Sequence, residues 1–345
     1  MEEVAPLKPG QATMVQRLDK SLRPVLKAVS RSFYLTLRVL PRKIRPQIGL
    51  AYLLARTTDT IADTGLVAVE QRLAALEALR ARILGRSEQP LNFGELARQQ
   101  ASPAERGLLE RCEATLGLLS SLSSADLERL RQVLVTITGG QELDLRRFMG
   151  ASAQHVVALG SDEDLDAYAY AVAGCVGEFW TKMCRAHVFP QAQLDDATLL
   201  TQGVRFGKGL QLVNILRDLA TDLRQGRCYL PARGLSACGL EPGQLLQEAN
   251  EPRLRPLYDS WLERAKAHLN AGWAYTNALP YGAMRVRLAC AWPLLIGFET
   301  IKLLGSVSVL GPRQPLKVPR GQVRSILLRS TLLYPWPSAW RKLVA

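Results

Sequence analysis

Two aspartates four residues apart, Asp59 and Asp63, stand in LLARTTDTIADTG beside an apolar run, with Arg56 just before the first. Four residues advance an α-helix by about 400°, so the two carboxylates share nearly one face. They repel each other there unless a cation lies between them. A second pair, Asp218 and Asp222, repeats the spacing in QLVNILRDLATDLRQGRCYLP, with Arg217 before it and Arg227 after it. One such pair alone is most simply a solvated helix face, or half of an ion-pair network with nearby arginines. Two matched pairs far apart in the chain belong to different helices, and two helices facing each other in this way would line a cleft with carboxylates. Such a cleft suits hard, oxygen-preferring Mg²⁺, or Mn²⁺ in its place, rather than zinc. Mg²⁺ keeps several waters and readily takes phosphate oxygens, and the arginines would neutralise the same phosphates. The pattern predicts a Mg²⁺–diphosphate site with Asp59, Asp63, Asp218 and Asp222 as ligands.

The elements that must position these acids are helices. VEQRLAALEALRARIL, SSADLERLRQVLVTITGGQELDL and YDSWLERAKAHLNAGWAYTNAL carry apolar residues at three- and four-residue spacing. PRKIRP, GRSEQPLNFG, PARGLSACGLEPG and GPRQPLKVPRG interrupt the periodicity. Ser124 is the expected N-cap of the second segment. Strand signals are nearly absent, and no repeat or long linker divides the chain. The expectation is one all-α domain over residues 1–345, of ten or more helices, less regular at about 1–25 and basic at about 312–345.

Composition narrows the partners. The chain has 345 residues, 48% of them hydrophobic, and a net charge of +13 that favours an anionic partner. A basic helical protein could bind nucleic acid, but the two acidic pairs would repel its phosphates unless metal-loaded. Six cysteines without a C-x-x-C pair and an acidic, polar start are expected of a reduced cytoplasmic protein. The three histidines are scattered without ligand spacing. The longest apolar candidate, around ACAWPLLIGF, is about half of the roughly 18 residues that a membrane span needs, so any membrane contact is expected to be peripheral. No G-x-G-x-x-G follows a strand signal, which excludes a Rossmann nucleotide site.

DTIAD and NILRDLATD resemble the two aspartate-rich motifs of the squalene and phytoene synthase family. VSRSFYLTLRVLP, YAYAVAGCVG and GKGLQLVNILRD resemble further segments of that family, in the family's order. Ala62 and Thr221 stand where the family often has additional acids. The resemblance implies an isoprenoid-synthase bundle of helices around a central apolar cavity, acting as a monomer. It implies head-to-head condensation of two farnesyl diphosphates through presqualene diphosphate, then reduction by NADPH to squalene. The alternative is a non-reducing reaction giving phytoene, dehydrosqualene or hydroxysqualene. Mg²⁺ and arginines would neutralise the departing diphosphate, and an apolar cavity would shield the allylic cation from water.

Residue roles follow from the same resemblance. Ser30, Arg31, Ser32 and Phe33 would bind a diphosphate; otherwise Ser30 caps a helix. Tyr52 and Arg56 lie on roughly the face of Asp59, where Tyr52 could instead be core and Arg56 a simple ion-pair partner. Tyr168 would take or relay the proton, although a phenol is a poor base near neutral pH without help. Gly174 and Gly177 would let the helix approach a neighbour closely. Gln211 and Asn214 share the face of Asp218 and would hold metal-bound water, with Asn214 also a metal ligand, or would make structural hydrogen bonds. Arg217 and Arg227 would bind diphosphate. Lys317, Arg320 and Gln322 resemble a C-terminal loop that serves NADPH. From Thr300 onward there are eight basic residues and no acid, and PWPSAW adds tryptophans suited to a lipid headgroup boundary.

Overall fold

A computed structural model describes residues 22–30, 33–311 and 316–344. The described residues fall into two compact units, those within Met1–Glu142 and Met183–Pro190, and those within Leu143–Lys182 and Gln191–Ala345. Arg31 and Ser32 lie outside the described residues.

The first unit contains α1 (22–29), α2 (Phe33–Val39), α3 (Arg45–Ala62), α4 (Val69–Ile83), α5 (Gly94–Arg98), α6 (Pro103–Glu110), α7 (Cys112–Gly117) and most of α8 (Ser124–Arg147). Pro46 in the first turn of α3 suits the fixed φ that proline brings to a helix start. Leu50, Leu53, Leu54 and Ile61 of α3 are buried with Leu76 and Leu79 of α4 and Leu130 and Leu134 of α8. The less buried stripe of α3 carries Tyr52, Arg56 and Asp59 at three- and four-residue spacing. The cap of α8 is Ser123 rather than Ser124: its Oγ accepts from Asp126 N–H at 3.2 Å, one residue before the expected position.

The second unit contains β1 (Val157–Leu159), α9 (Asp162–Ala169), a π-helical turn (Tyr170–Gly174), most of α10 (Cys175–His187), α11 (Asp196–Arg224), β2 (Arg227–Pro231), α12 (Ala232–Ala237), α13 (Glu251–Ala278), α14 (Met284–Ser306), α15 (Arg320–Leu333) and α16 (Pro337–Arg341). Leu212, Leu216, Leu219 and Leu223 of α11 are buried with Tyr258, Leu262 and Leu269 of α13. The Tyr258 hydroxyl donates to the Leu216 carbonyl at 3.0 Å. The expectation of helices is met, with one addition: β1 and β2 pair in parallel, Val157 opposite Arg227 and Ala158 opposite Cys228. Gly226 makes this pairing accessible from the end of α11. Its φ is +80°, and a Cβ there would lie 2.2 Å from the Ser152 nitrogen.

α14 corrects the expectation about apolar length. It is long and apolar enough to cross a membrane, but 61% of its apolar window is buried, as in a core helix. The six cysteines are free. Burial pushes the thiols of Cys112, Cys175 and Cys228 up to about 12, so these three are packing groups rather than nucleophiles.

Within the second unit, α10 and α11 cross at glycines. A Cβ on Gly177 would lie 1.8 Å from the Gly203 carbonyl oxygen, and one on Gly207 2.1 Å from the Ala173 carbonyl oxygen. Gly174 meets side chains instead, at 3.1–3.3 Å. Gly177→Ala is therefore expected to force the helices apart and cost about 1–3 kcal/mol. Gly107→Ala in α6, where a Cβ meets nothing within 4 Å, is expected to be neutral or stabilising by up to about 1 kcal/mol. Urea unfolding of the two variants checks the contrast; equal effects would mean that the crossing is not set by backbone contact.

Candidate active site

α3 brings the first acid pair to its own C-terminal end. Asp63 is the residue that caps α3, and its N–H donates to the Asp59 carbonyl at 2.8 Å, so the two acids remain one helical turn apart as expected. The last turn of α3 contains no basic residue. Its carbonyls add negative potential where two carboxylates already stand. Asp59 is densely surrounded by protein, yet its side chain remains 45% accessible. Burial, followed by the charge of Asp63, pushes the Asp59 carboxyl up to about 7, against the opposing effects of Arg56 and a hydrogen bond from Gln141.

Three neighbours complete this cluster. Arg56 Nη1 lies 3.8 Å from Asp59, and Arg56 Nη2 is bound more closely by Glu105. Burial opposes the guanidinium charge, but Asp59 and Glu105 outweigh it and raise its pKa. The Gln141 amide nitrogen donates to Asp59, while its own Oε1 is buried without a hydrogen-bond partner. That oxygen could serve as a neutral donor to a cation or its water beside Asp59. Tyr52 donates to the Val29 carbonyl at 3.4 Å and also acts electrostatically on Arg56. Ser30 is buried and its hydroxyl donates to Leu26 O, so its oxygen is turned away from solvent. The side chain of Phe33 is outside the described set.

α11 carries the second pair, also toward its C-terminal end. Gln211, Asn214, Asp218 and Asp222 form a less buried stripe along a helix whose Leu212, Val213, Ile215, Leu216 and Leu219 are buried. Arg217 clasps Asp218 with two hydrogen bonds, Nε to Oδ1 at 2.8 Å and Nη2 to Oδ2 at 2.6 Å. Arg227, on β2, donates to Gln225 at 2.8 Å. Each pair offers two carboxylates, and among the described residues no cluster of three or more His, Cys, Asp or Glu side chains could hold a metal by itself. Two carboxylates with the remaining positions left to water and phosphate is how Mg²⁺ is commonly bound, so the donor chemistry fits.

Tyr168 heads a chain of polar groups that the sequence reading did not contain. Its hydroxyl donates to Tyr229 at 3.4 Å, and the rings stack at 4.9 Å. Tyr229 donates to Asp144 at 2.9 Å, and Phe148 packs edge-on against its ring. Burial and the charge of Asp144 raise the Tyr229 pKa far above the usual phenol range. The π-helical turn at Tyr170–Gly174 follows directly, and such turns frequently occur at functional sites. Tyr170 faces another partner, Glu178, at 3.3 Å. Gln141 and Asp144 stand in QELD, polar residues within an apolar periodic helix, which was the available signal. Tyr229 stands in RCYLP, too short a run to read as a strand.

The C-terminal cations lie elsewhere on the second unit. Lys317 and Arg320 are exposed at or just before the start of α15. Gln322 donates to Glu299, whose negative charge opposes a cofactor phosphate. Lys317 and Arg320 are thus open to solvent, while Gln322 is engaged by an acid.

The chain is 27% identical over 309 residues to the presqualene diphosphate synthase of Rhodopseudomonas palustris, covering 89% of this chain and 95% of that one. It is 28% identical over 263 residues to a bifunctional lycopene cyclase/phytoene synthase of Gibberella fujikuroi, covering 74% of this chain and 42% of that one. It thus spans less than half the length of this bifunctional relative. A dehydrosqualene synthase crystal structure shares the fold, with a TM-score of 0.67 at 19% identity, covering 94% of this chain and 100% of that one. The squalene/phytoene synthase family model matches residues 26–320, and this chain belongs to that family.

Proposed function

We propose that the chain joins two farnesyl diphosphates head to head, with Mg²⁺, to give presqualene diphosphate. The observation that carries this reading is the Asp59–Asp63 pair, whose repulsion at the end of α3 a bound cation would relieve, with a second pair of the same spacing on α11. The whole-length likeness to a presqualene diphosphate synthase supports the choice of product. Asp59, Asp63, Asp218 and Asp222 would hold the metal, with Gln141 and Asn214 beside them. Bound Mg²⁺ supplies positive charge for the departing diphosphate.

The chain's own residues do the rest. Arg56, Arg217 and Arg227 neutralise diphosphate oxygens as the allylic C–O bond breaks. Arg217 must first exchange part of its hold on Asp218, which a metal ion at that carboxylate would favour. The double bond of the second substrate attacks the allylic cation, and loss of a proton closes the cyclopropane. Tyr168 receives that proton through its hydroxyl oxygen and passes its own toward Tyr229 and Asp144, so a carboxylate supplies the basicity that a phenol lacks. Reduction to squalene by NADPH is the second reading. Lys317 and Arg320 favour it, and Gln322 held by Glu299 does not.

Product analysis tests the choice. With Mg²⁺ and farnesyl diphosphate the expected product is presqualene diphosphate, with geranylgeranyl diphosphate a poorer substrate. A switch to squalene on adding NADPH would establish the second reading, and consumption of neither diphosphate would refute both.

Asp59→Asn and Asp218→Asn are each expected to lower kcat at least about tenfold, equivalent to about 1.4 kcal/mol of barrier. Metal-free stability tests the electrostatics of Asp59. A carboxyl whose pKa rises on folding favours the folded state fully below its unfolded value and loses that contribution as pH rises through about 7. Without metal, Asp59→Asn should therefore gain thermal stability over the parent chain progressively from about pH 4 to about pH 7. An unchanged difference across that range would show that Asp59 ionises normally.

Tyr168→Phe is expected to keep its fold and its substrate KM while kcat falls on the order of 10². Parent-like turnover would reduce Tyr168 to a packing group.

A further inference from the structure

Among the described residues, α15 meets the second unit along one side. Ser330 is buried and accepts from Trp292 Nε1 at 3.1 Å, and Gln322 donates to Glu299. Val323, Ile326 and Leu327 are half-buried on the same side. At about 100° per residue, Leu328 and Leu332 then fall at the centre of the outward face, with Arg324 on one flank and Arg329 on the other. Leu328 is 61% exposed and Leu332 59%, and Trp336, just beyond the helix, is 60% exposed. Lys317, Arg320, Arg324, Arg329, Arg341 and Lys342 are all exposed, and the sequence has no acid after Glu299.

The orientation is held from the C-terminal end. Trp340 is buried, stacks on Trp273 at 5.4 Å and meets Tyr334 edge-on. The Arg287 guanidinium lies 5.6 Å from the Trp340 ring. Only Trp336 of the two tryptophans in PWPSAW is therefore free to meet a surface. Single exposed leucines are ordinary. Two leucines and a tryptophan, flanked by arginines and exposed together, are not.

We propose that this face docks on an anionic lipid surface. Leu328, Leu332 and Trp336 would enter the boundary between headgroups and acyl chains, while the arginines reach lipid phosphates along their aliphatic stems. A nucleic acid would use the cations but leave the three apolar groups in water. A second copy meeting face to face would bring two sets of like charges together. The inference does not depend on the reaction assigned above.

The test is co-sedimentation of the full chain with vesicles of phosphatidylcholine alone, or of phosphatidylcholine with about a quarter phosphatidylglycerol. Binding is expected to the anionic vesicles only, and to weaken with salt. Arg324→Gln and Arg329→Gln should each lower partitioning about fivefold, and Leu328→Asn with Leu332→Asn at least about tenfold. Diphosphate consumption in solution should remain at the parent rate. Equal binding to both vesicle types, binding to neither, or full binding by the double-leucine variant would overturn the proposal. So would a parent chain that self-associates through this face, with the double variant monomeric by sedimentation velocity.

Discussion

Repulsion between paired carboxylates at the ends of helices is the constraint on which the proposed chemistry depends. Asp59 and Asp63 stand where the carbonyls of α3 already accumulate negative potential, and the last turn supplies no basic residue to offset it. The arrangement is poor for the stability of the metal-free chain, since ionising Asp59 is opposed by both burial and Asp63. It is suitable for a divalent cation that retains phosphate and water among its ligands. The apolar side of α3, packed against α4, holds the pair in place.

The second unit meets its electrostatic demands differently. Asp218 is satisfied by the guanidinium next to it in sequence, and Asp222 leads into a Gly226 turn and a short parallel sheet. That sheet fixes Tyr229 under the ring of Tyr168 and against Asp144. The glycine-to-glycine crossing of α10 and α11 belongs to the same design. It lets α10, and the π-helical turn before it, lie close against the helix that carries the second acid pair.

Much of the site could be read directly because its parts are local. Spacing of four within a helix puts Asp59 with Asp63, and Asp218 with Asn214 and Asp222, on common faces whatever the tertiary packing. Helical class was likewise legible, because apolar periodicity reports the face that each helix must bury. The glycines at 174 and 177 suggested close helix approach, and for Gly177 a backbone neighbour accounts for it. The α15 cations were legible as a charge cluster, but whether that segment was a free tail or a docked helix was not.

What the sequence by itself determined is the helical class, the two acid pairs and the position of Tyr168, all properties of spacing within one element. Tertiary structure decided which groups answer those residues: Gln141 and Glu105 around the first pair, Tyr229 and Asp144 behind Tyr168. It also decided that Ser30 turns inward, that α14 is a core helix, and that Trp336 rather than Trp340 meets solvent. The physical reason is range. Periodicity fixes which side chains share a face, but the partner across that face comes from residues tens of positions away, and no local rule specifies how those elements will pack.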